Sequence, residues 1–138
     1  MRGKVFIDTN FLIYLFSDDE SLKREKCEFL ISDKLLDNII VWSTQVIQEF
    51  YSVLTRKLGK EPLQVKKSIM TLKDFQLVTN DYNIILSAVD IQVLNNLTFW
   101  DSLILAAAAS SNCSFLLSED LNHGQIINGV KILNPFEL

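Results

Sequence analysis

Short apolar runs alternate with amphipathic stretches along most of the chain. Such runs are typical of buried strands, and the stretches after them place apolar residues at helical spacing. Strands are predicted at residues 5–8, 39–42, 75–78, 115–118 and 130–133. Strands that alternate with helices form parallel sheets with helices on both faces. We therefore predict a three-layer α/β/α fold whose central, mostly parallel sheet has four to five strands.

Residues that begin and end helices separate these strands. Ser43 or Thr44 can cap the helix after the second strand, Gly59 can end it, and Pro62 suits the first turn of the next helix. Helices are predicted at residues 11–16, about 21–31, 44–58, 62–73, 81–94 and 98–111. No repeat, linker or low-complexity tract interrupts this order, so we predict one domain over residues 1–138.

The composition is that of a globular protein, with 49% apolar and 22% charged residues among 138. No apolar run approaches the roughly 20 residues that span a bilayer, and Asp8 interrupts the first apolar stretch, which argues against a secretory signal. Cys27 and Cys113 form neither a CxxC motif nor a disulfide framework. We expect a cytoplasmic protein with reduced, buried thiols and no membrane contact.

The net charge of −4 argues against a broad basic surface for tight nucleic-acid binding. It does not exclude a nucleic-acid substrate, because bound cations would cancel part of a negative charge concentrated in a metal site. The Lys and Arg residues form small groups along the chain, which we interpret as solvated helix faces.

Two acidic residues follow predicted strands. Asp8 closes the first apolar run, and Asp120 comes two residues after the run that ends at Ser118. In an open parallel sheet both would project from the carboxyl edge, where this architecture holds its ligands. Carboxylates that gather there raise one another's pKa unless a cation lies between them. Because hard oxygen ligands suit Mg²⁺ and Mn²⁺, the pattern predicts a divalent metal site.

Other acids have competing explanations. Glu49 borders the apolar face of its helix, where a partly desolvated carboxylate requires a cation. Asp101 is the last residue of a Thr98-x-x-Asp101 capping box, so it can be a helix cap as readily as a metal ligand. Beside Asp120, Glu119 is an alternative ligand and Asn122 could add a neutral oxygen.

Taken together, these motifs resemble the PIN domain family. The resemblance rests on Asp8-Thr9-Asn10 after the first strand, Glu49 on the third helix, Trp100-Asp101-Ser102 at the start of an alanine-rich helix, and Ser118-Glu119-Asp120 after the next strand. The order of elements agrees along the whole chain. Within this family, the chain is most similar to the single-domain VapC-type toxins of toxin–antitoxin pairs.

The resemblance implies that Asp8, Glu49, Asp101 and Asp120 are the catalytic, metal-binding quartet, although the fourth acid varies most within the family. Thr9, Asn10 and Ser118 would support these acids. The implied protein is a Mg²⁺- or Mn²⁺-dependent endoribonuclease that acts on RNA and forms a homodimer. Its implied partner is a small antitoxin that inserts an Arg or Lys beside Asp8 and Asp101.

Two other functions are open at this point. One is a catalytically idle PIN domain that binds protein or RNA in a larger assembly. The other is a phosphatase with an aspartyl nucleophile, but its best-known fold requires D-x-D after the first strand, and residue 10 is Asn10. His123 is interpreted as a turn residue without a catalytic role. The aromatic residues are predicted to be core or dimer surface rather than platforms for bases, namely Phe6, Phe50, Tyr51, Phe99 and Trp100.

Overall fold

The computed structural model describes residues 3–138 and contains one mixed sheet with helices packed against it. The strands are β1 (Lys4–Ile7), β2 (Ile39–Ser43), β3 (Gln76–Val78), β4 (Cys113–Leu117), β5 (Ile126–Ile127) and β6 (Val130–Leu133). Their order across the sheet is β3-β2-β1-β4-β6-β5, and every neighbouring pair is parallel except β5 with β6. The α/β class with a mostly parallel sheet is therefore confirmed.

The described sheet has six strands, whereas four to five were predicted. The additional strand is β5, which has only two residues and forms an antiparallel hairpin with β6 around Asn128 and Gly129. Both turn residues have positive φ, 49° and 81°, as a two-residue hairpin loop requires. A strand of two residues is too short to produce a periodic pattern, so the sequence carries no signal for it.

Four of the six described α-helices begin after a residue whose side chain accepts a hydrogen bond from a backbone N–H of the first turn. Described helices are α1 (Thr9–Phe16), α2 (Ser21–Phe29), α3 (Thr44–Arg56), α4 (Pro62–Thr71), α5 (Tyr82–Asn95) and α6 (Phe99–Ser110). A π-helical turn, Leu30–Lys34, extends α2, and a 3-10 turn, Pro135–Glu137, lies at the end of the chain. The N-cap side chains of α1, α3, α5 and α6 are those of Asp8, Ser43, Asp81 and Thr98.

The interior is built around β1 and α6. Val5, Phe6 and Ile7 are fully buried in β1, and Ala106 to Ala108 are buried along α6. Small alanine side chains let a helix approach a neighbouring layer closely, which explains why α6 can pack against both the sheet and α5. None of the helices described over residues 3–138 is long and apolar enough to cross a membrane.

Both cysteines are free and buried, as predicted. Burial raises the pKa of the Cys27 thiol to about 12, so it packs as a small hydrophobe.

The order in which successive strands are added to the sheet reverses at β1. From β1 the chain moves to β2 on one side and later returns to β4 on the other. Ile7 pairs with Leu117, and the N–H of Asp8 donates to the Leu117 carbonyl at 3.1 Å. The residues that follow these two strands therefore meet at one edge of the sheet. This is the switch point at which open α/β sheets form their binding crevices.

Candidate active site

All four predicted acids line one cavity of about 130 Å³ at this edge. Asp8 follows β1, Glu49 lies on α3, Asp101 lies in the first turn of α6, and Asp120 follows β4. Thr9, Asn10, Gln45 and Trp100 line the same cavity, together with apolar side chains from α1, α3 and α6. Four segments that are distant in sequence thus each contribute an acidic residue to the lining of one cavity.

Asp8 lies deepest in this group and is buried. One carboxylate oxygen accepts from the Thr9 N–H at 2.7 Å, and the other accepts from the Ser118 hydroxyl at 2.8 Å. Burial raises the pKa of Asp8 to about 6, and the charges of Glu49 and Asp120 act in the same direction. The two hydrogen bonds oppose this shift without cancelling it.

Glu49 receives a neutral donor on each carboxylate oxygen. The Thr9 hydroxyl donates to Oε2 at 3.1 Å, and Gln45 Nε2 donates to Oε1 at 2.7 Å. Gln45 Nε2 also donates to the Trp100 carbonyl at 3.2 Å, so this buried side chain joins α3 to the start of α6. Gln45 is not among the residues predicted from the sequence, although its position four residues before Glu49 on a helix is a signal for this contact.

The capping box at the start of α6 is half formed. The Asp101 N–H donates to the Thr98 hydroxyl at 3.1 Å, which makes Thr98 the N-cap. Among the hydrogen bonds of residues 3–138, there is no reciprocal bond from the Thr98 N–H to the Asp101 carboxylate. Because Thr98 alone caps the helix, the Asp101 carboxylate is available to the cavity.

Asp120, rather than Glu119 or Asn122, is the acid after β4 that lines the cavity. Asn10 Nδ2 donates to Asp120 Oδ2 at 3.0 Å. Burial raises the pKa of Asp120, with further contributions from the charges of Glu119 and Asp101. Asn122 instead donates to Gln125 Oε1 at 3.3 Å.

Glu119 is held outside the cavity by residues of α1 and α2. Lys23 Nζ lies 3.2 Å from Glu119 Oε2 and 3.1 Å from the Tyr14 hydroxyl, and that hydroxyl donates to the other Glu119 oxygen. Hydrogen bonds with Tyr14 and Glu119 raise the pKa of Lys23. The charge of Glu119 is therefore already paired with a cation.

The aromatic residues divide into two groups. Phe6 and Phe50 are buried in the core, as predicted, whereas the Trp100 side chain is 63% exposed and lines the cavity of the four acids. His123 Nδ1 accepts from the Asn134 N–H at 2.9 Å, a local structural contact that supports the interpretation of a turn residue.

The charge and donor types of the cavity fit a hard divalent cation, but the side chains are not gathered into a compact cluster. In the positions seen here, no three His, Cys, Asp or Glu side chains within residues 3–138 lie close enough together to hold a metal ion. The acids that line the cavity offer carboxylate oxygens, and none of them forms an ion pair with a described Lys or Arg. In addition, buried Gln45 Oε1 has no hydrogen-bond partner among the described residues. A cation among these oxygens would offset their repulsion.

The PIN domain model matches residues 5–127, which is most of the chain. The chain belongs to the PIN domain family. None of the curated proteins matches it in sequence.

Solved structures of toxin–antitoxin proteins share the PIN fold of this chain. A toxin–antitoxin complex from Klebsiella pneumoniae superposes with a TM-score of 0.72 at 23% identity, covering 97% of this chain and 99% of the other. VapC20 from Mycobacterium tuberculosis, a toxin that cleaves the sarcin-ricin loop, gives a TM-score of 0.70 at 16% identity over 84% and 91% of the two chains. VapBC2 from Rickettsia felis, bound to a DNA fragment from its promoter, gives 0.65 at 15% identity over 94% and 96%. The order and placement of elements in this PIN domain are thus those of VapC structures.

Proposed function

We propose that this PIN domain is a Mg²⁺- or Mn²⁺-dependent endoribonuclease and the toxin of a toxin–antitoxin pair. The observation that carries the proposal is the cavity that Asp8, Glu49, Asp101 and Asp120 all line without a paired cation. Carboxylates from four separate segments line this one cavity of about 130 Å³, and their mutual repulsion opposes folding unless a cation binds among them. The fold shared with a toxin that cleaves the sarcin-ricin loop supports RNA as the substrate.

The residues of the chain divide between holding a cation and orienting the groups that hold it. Asp8 is the central ligand in this proposal, and Glu49, Asp101 and Asp120 complete the set. Ser118 and Thr9 orient Asp8 and Glu49 through the hydrogen bonds described above, and Asn10 orients Asp120. When bound, a divalent cation lowers the pKa of water and stabilises the leaving oxygen during phosphodiester hydrolysis. No histidine base lines the described cavity, and this chemistry does not need one.

Cleavage of single-stranded or loop RNA by the purified protein tests this proposal. We expect cleavage with Mg²⁺ or Mn²⁺, none in EDTA, and losses of orders of magnitude in Asp8→Asn, Glu49→Gln, Asp101→Asn and Asp120→Asn. Asp18→Asn is the matched control, because this exposed acid pairs with Arg24 and does not line the cavity. Cleavage at full rate in EDTA would show that the metal mechanism is wrong. RNA binding without cleavage under any metal would support the idle binding module instead.

Membership of the PIN family also supports proposals about the partner protein, the cellular compartment and the oligomeric state. Because the fold is shared with solved toxin–antitoxin complexes, we propose a small antitoxin that places an Arg or Lys beside Asp8 and Asp101. Arg is favoured because its planar group can pair with carboxylates through two hydrogen bonds. We also propose a cytoplasmic homodimer. An exposed apolar stripe along α5 supports self-association and consists of Tyr82, Ile85, Leu86, Val89 and Val93.

A further inference from the structure

Trp100 presents an aromatic ring to solvent beside the cavity of the four acids. Its side chain is 63% exposed. The ring packs edge-on against Phe99, with ring centroids 5.2 Å apart and an interplanar angle of 75°. The Trp100 carbonyl accepts from Gln45 at 3.2 Å, which ties this turn of α6 to α3. The exposed face of this indole offers a flat surface on which a base can stack.

A second cavity of about 470 Å³ begins at this ring. Its lining residues are Gln45, Gln48, Glu49 and Trp100, and three of these also line the cavity of the four acids. The two cavities therefore share a wall made by Gln45, Glu49 and Trp100. The volume is within the range of about 300–1,000 Å³ that small-molecule sites occupy.

The chemistry of the second cavity suits an uncharged, planar and polar group. None of its described lining residues is Lys or Arg, and Glu49 would repel a phosphate. Gln48 is exposed, and its side-chain amide forms no hydrogen bond with another described residue, so it can both donate and accept. An indole that stacks, with amides that read an edge, is the combination by which proteins bind an unpaired nucleobase.

We propose that this second cavity binds the base of a nucleotide adjacent to the cleaved phosphate. The base stacks on Trp100, and its edge forms hydrogen bonds with Gln48. This proposal replaces the sequence-based interpretation of Trp100 as a residue of the core or of a dimer surface. This inference rests on the proposed ribonuclease function, which places the cleaved phosphate in the neighbouring acidic cavity. A second copy of the chain is a poorer occupant, because the residues beside Trp100 are two glutamines and a glutamate rather than aliphatic or aromatic residues. A base must be unpaired to stack on the ring, so the cavity favours single-stranded or loop RNA.

Cleavage of a short RNA and of the same RNA with single abasic positions tests the subsite. Trp100→Ala should reduce kcat/KM for the intact RNA roughly 5- to 150-fold, the range that the loss of one stacked base gives. With the wild-type protein, an RNA that lacks one particular base beside the cleavage site should show a similar loss of kcat/KM. Trp100→Ala with that abasic RNA should show no further loss, because both changes remove the same contact.

Two variants separate stacking from a general effect on the protein. Trp100→Phe retains an aromatic ring and should recover most of the activity that Trp100→Ala loses. Phe29→Ala is the matched control, because this aromatic side chain is 48% exposed but lines neither cavity. The proposal is overturned if Trp100→Ala cleaves intact RNA at the wild-type rate, or if abasic substitution and Trp100→Ala cause independent, multiplicative losses.

Tryptophan fluorescence tests the subsite without requiring cleavage. The other tryptophan, Trp42, is buried, so a nucleotide in solution can contact only Trp100. Adenosine 5′-monophosphate should quench the emission of the wild type after inner-filter correction, ribose 5-phosphate should not, and Trp100→Phe should abolish the quenching. If the wild type cleaves no RNA but this quenching is seen, the ribonuclease proposal fails while the base subsite stands. If the wild type cleaves RNA without quenching of Trp100 by the nucleotide, the subsite proposal fails alone.

Discussion

The Ser118 hydroxyl donates to Asp8 Oδ2 at 2.8 Å, which joins the residues that follow the adjacent strands β1 and β4. The contact holds a buried carboxylate in place although burial and two neighbouring acids disfavour its charge. Ser118 Oγ also accepts from the Asp120 N–H at 3.3 Å, so one hydroxyl orients two of the four acids. The site thus holds the negative charge of Asp8 in a position where that charge lowers the stability of the fold.

The first prediction concerns the dependence of stability on pH in EDTA. Folding raises the pKa of Asp8 from 3.8 to about 6, so the folded protein binds a proton more tightly than the unfolded chain. The free energy of unfolding should therefore decrease as the pH rises from about 4 to 6. Asp8→Asn should remove this part of the pH dependence and stabilise the metal-free protein at pH 7 by about 1–3 kcal/mol. Urea denaturation at several pH values measures both effects, and an Asp8→Asn protein less stable than the wild type at pH 7 would contradict the prediction.

A second prediction separates helix capping from metal binding at the start of α6. Thr98→Ala removes the cap and should cost about 0.5–2 kcal/mol of stability while leaving much of the cleavage activity. Asp101→Asn should maintain or increase stability without metal, because repulsion in the cavity falls, yet reduce cleavage by orders of magnitude. Thermal unfolding and cleavage assays on the two variants provide the comparison. A stability loss of ~1 kcal/mol in Asp101→Asn with activity intact would make Asp101 a structural residue.

The third prediction concerns the ion pair of Lys23 with Glu119. Because this pair holds the residue next to Asp120, Lys23→Met should reduce cleavage by up to about 10-fold, the lower limit for loss of a direct partner of a metal ligand, since Lys23 contacts Glu119 and not Asp120. Its effect on the free energy of unfolding should stay within about 1 kcal/mol. Arg24→Met is the matched control, since Arg24 lies on the same helix and pairs only with exposed acids. Equal activities of the two variants would show that the ion pair does not position Asp120.

A fourth prediction tests the apolar stripe on α5 as the surface of a homodimer. Leu86 is 47% exposed in the middle of the stripe, and a lysine there would place a charge in an apolar interface. Leu86→Lys should shift the protein from dimer to monomer in sedimentation-velocity experiments. Leu63→Lys is the control, because Leu63 is 72% exposed on α4, outside the stripe. A wild type that is monomeric at every concentration would exclude the dimer.

The fifth prediction concerns inhibition by the proposed antitoxin. If its Arg or Lys occupies the acidic cavity, changing that residue to Ala should weaken inhibition even where apolar contacts preserve the complex. Inhibition by the unchanged partner should decrease as Mg²⁺ rises, because the cation and the basic side chain compete for the same carboxylates. RNA cleavage with a stoichiometric partner across a Mg²⁺ titration measures this competition. Equal inhibition by both partners at every Mg²⁺ concentration would show that the partner acts elsewhere.

Much of the fold can be read from local features of the chain. The alternation of apolar runs and amphipathic segments predicts the α/β class, and the caps at Ser43, Asp81 and Thr98 lie where the sequence indicates helix starts. Each cap bonds to a backbone group three residues away, so a few neighbouring residues suffice to predict it. The strand-end position of Asp8 is a local feature of the same kind.

Other properties of the site depend on contacts between segments far apart in sequence. Lys23 and Glu119 are 96 residues apart, and their pairing leaves Asp120 as the acid of that loop at the cavity. Gln45 reaches the carbonyl of Trp100 across 55 residues, and the exposure of that indole depends on how α6 packs beside α3. Local propensity sets where helices and strands begin, whereas the rotation and spacing of packed elements decide which side chains meet. The amino-acid pattern alone is therefore enough to predict the α/β fold, and the family resemblance of its motifs adds the candidate acids. Tertiary packing decides which acid, amide and aromatic ring surround the cavity.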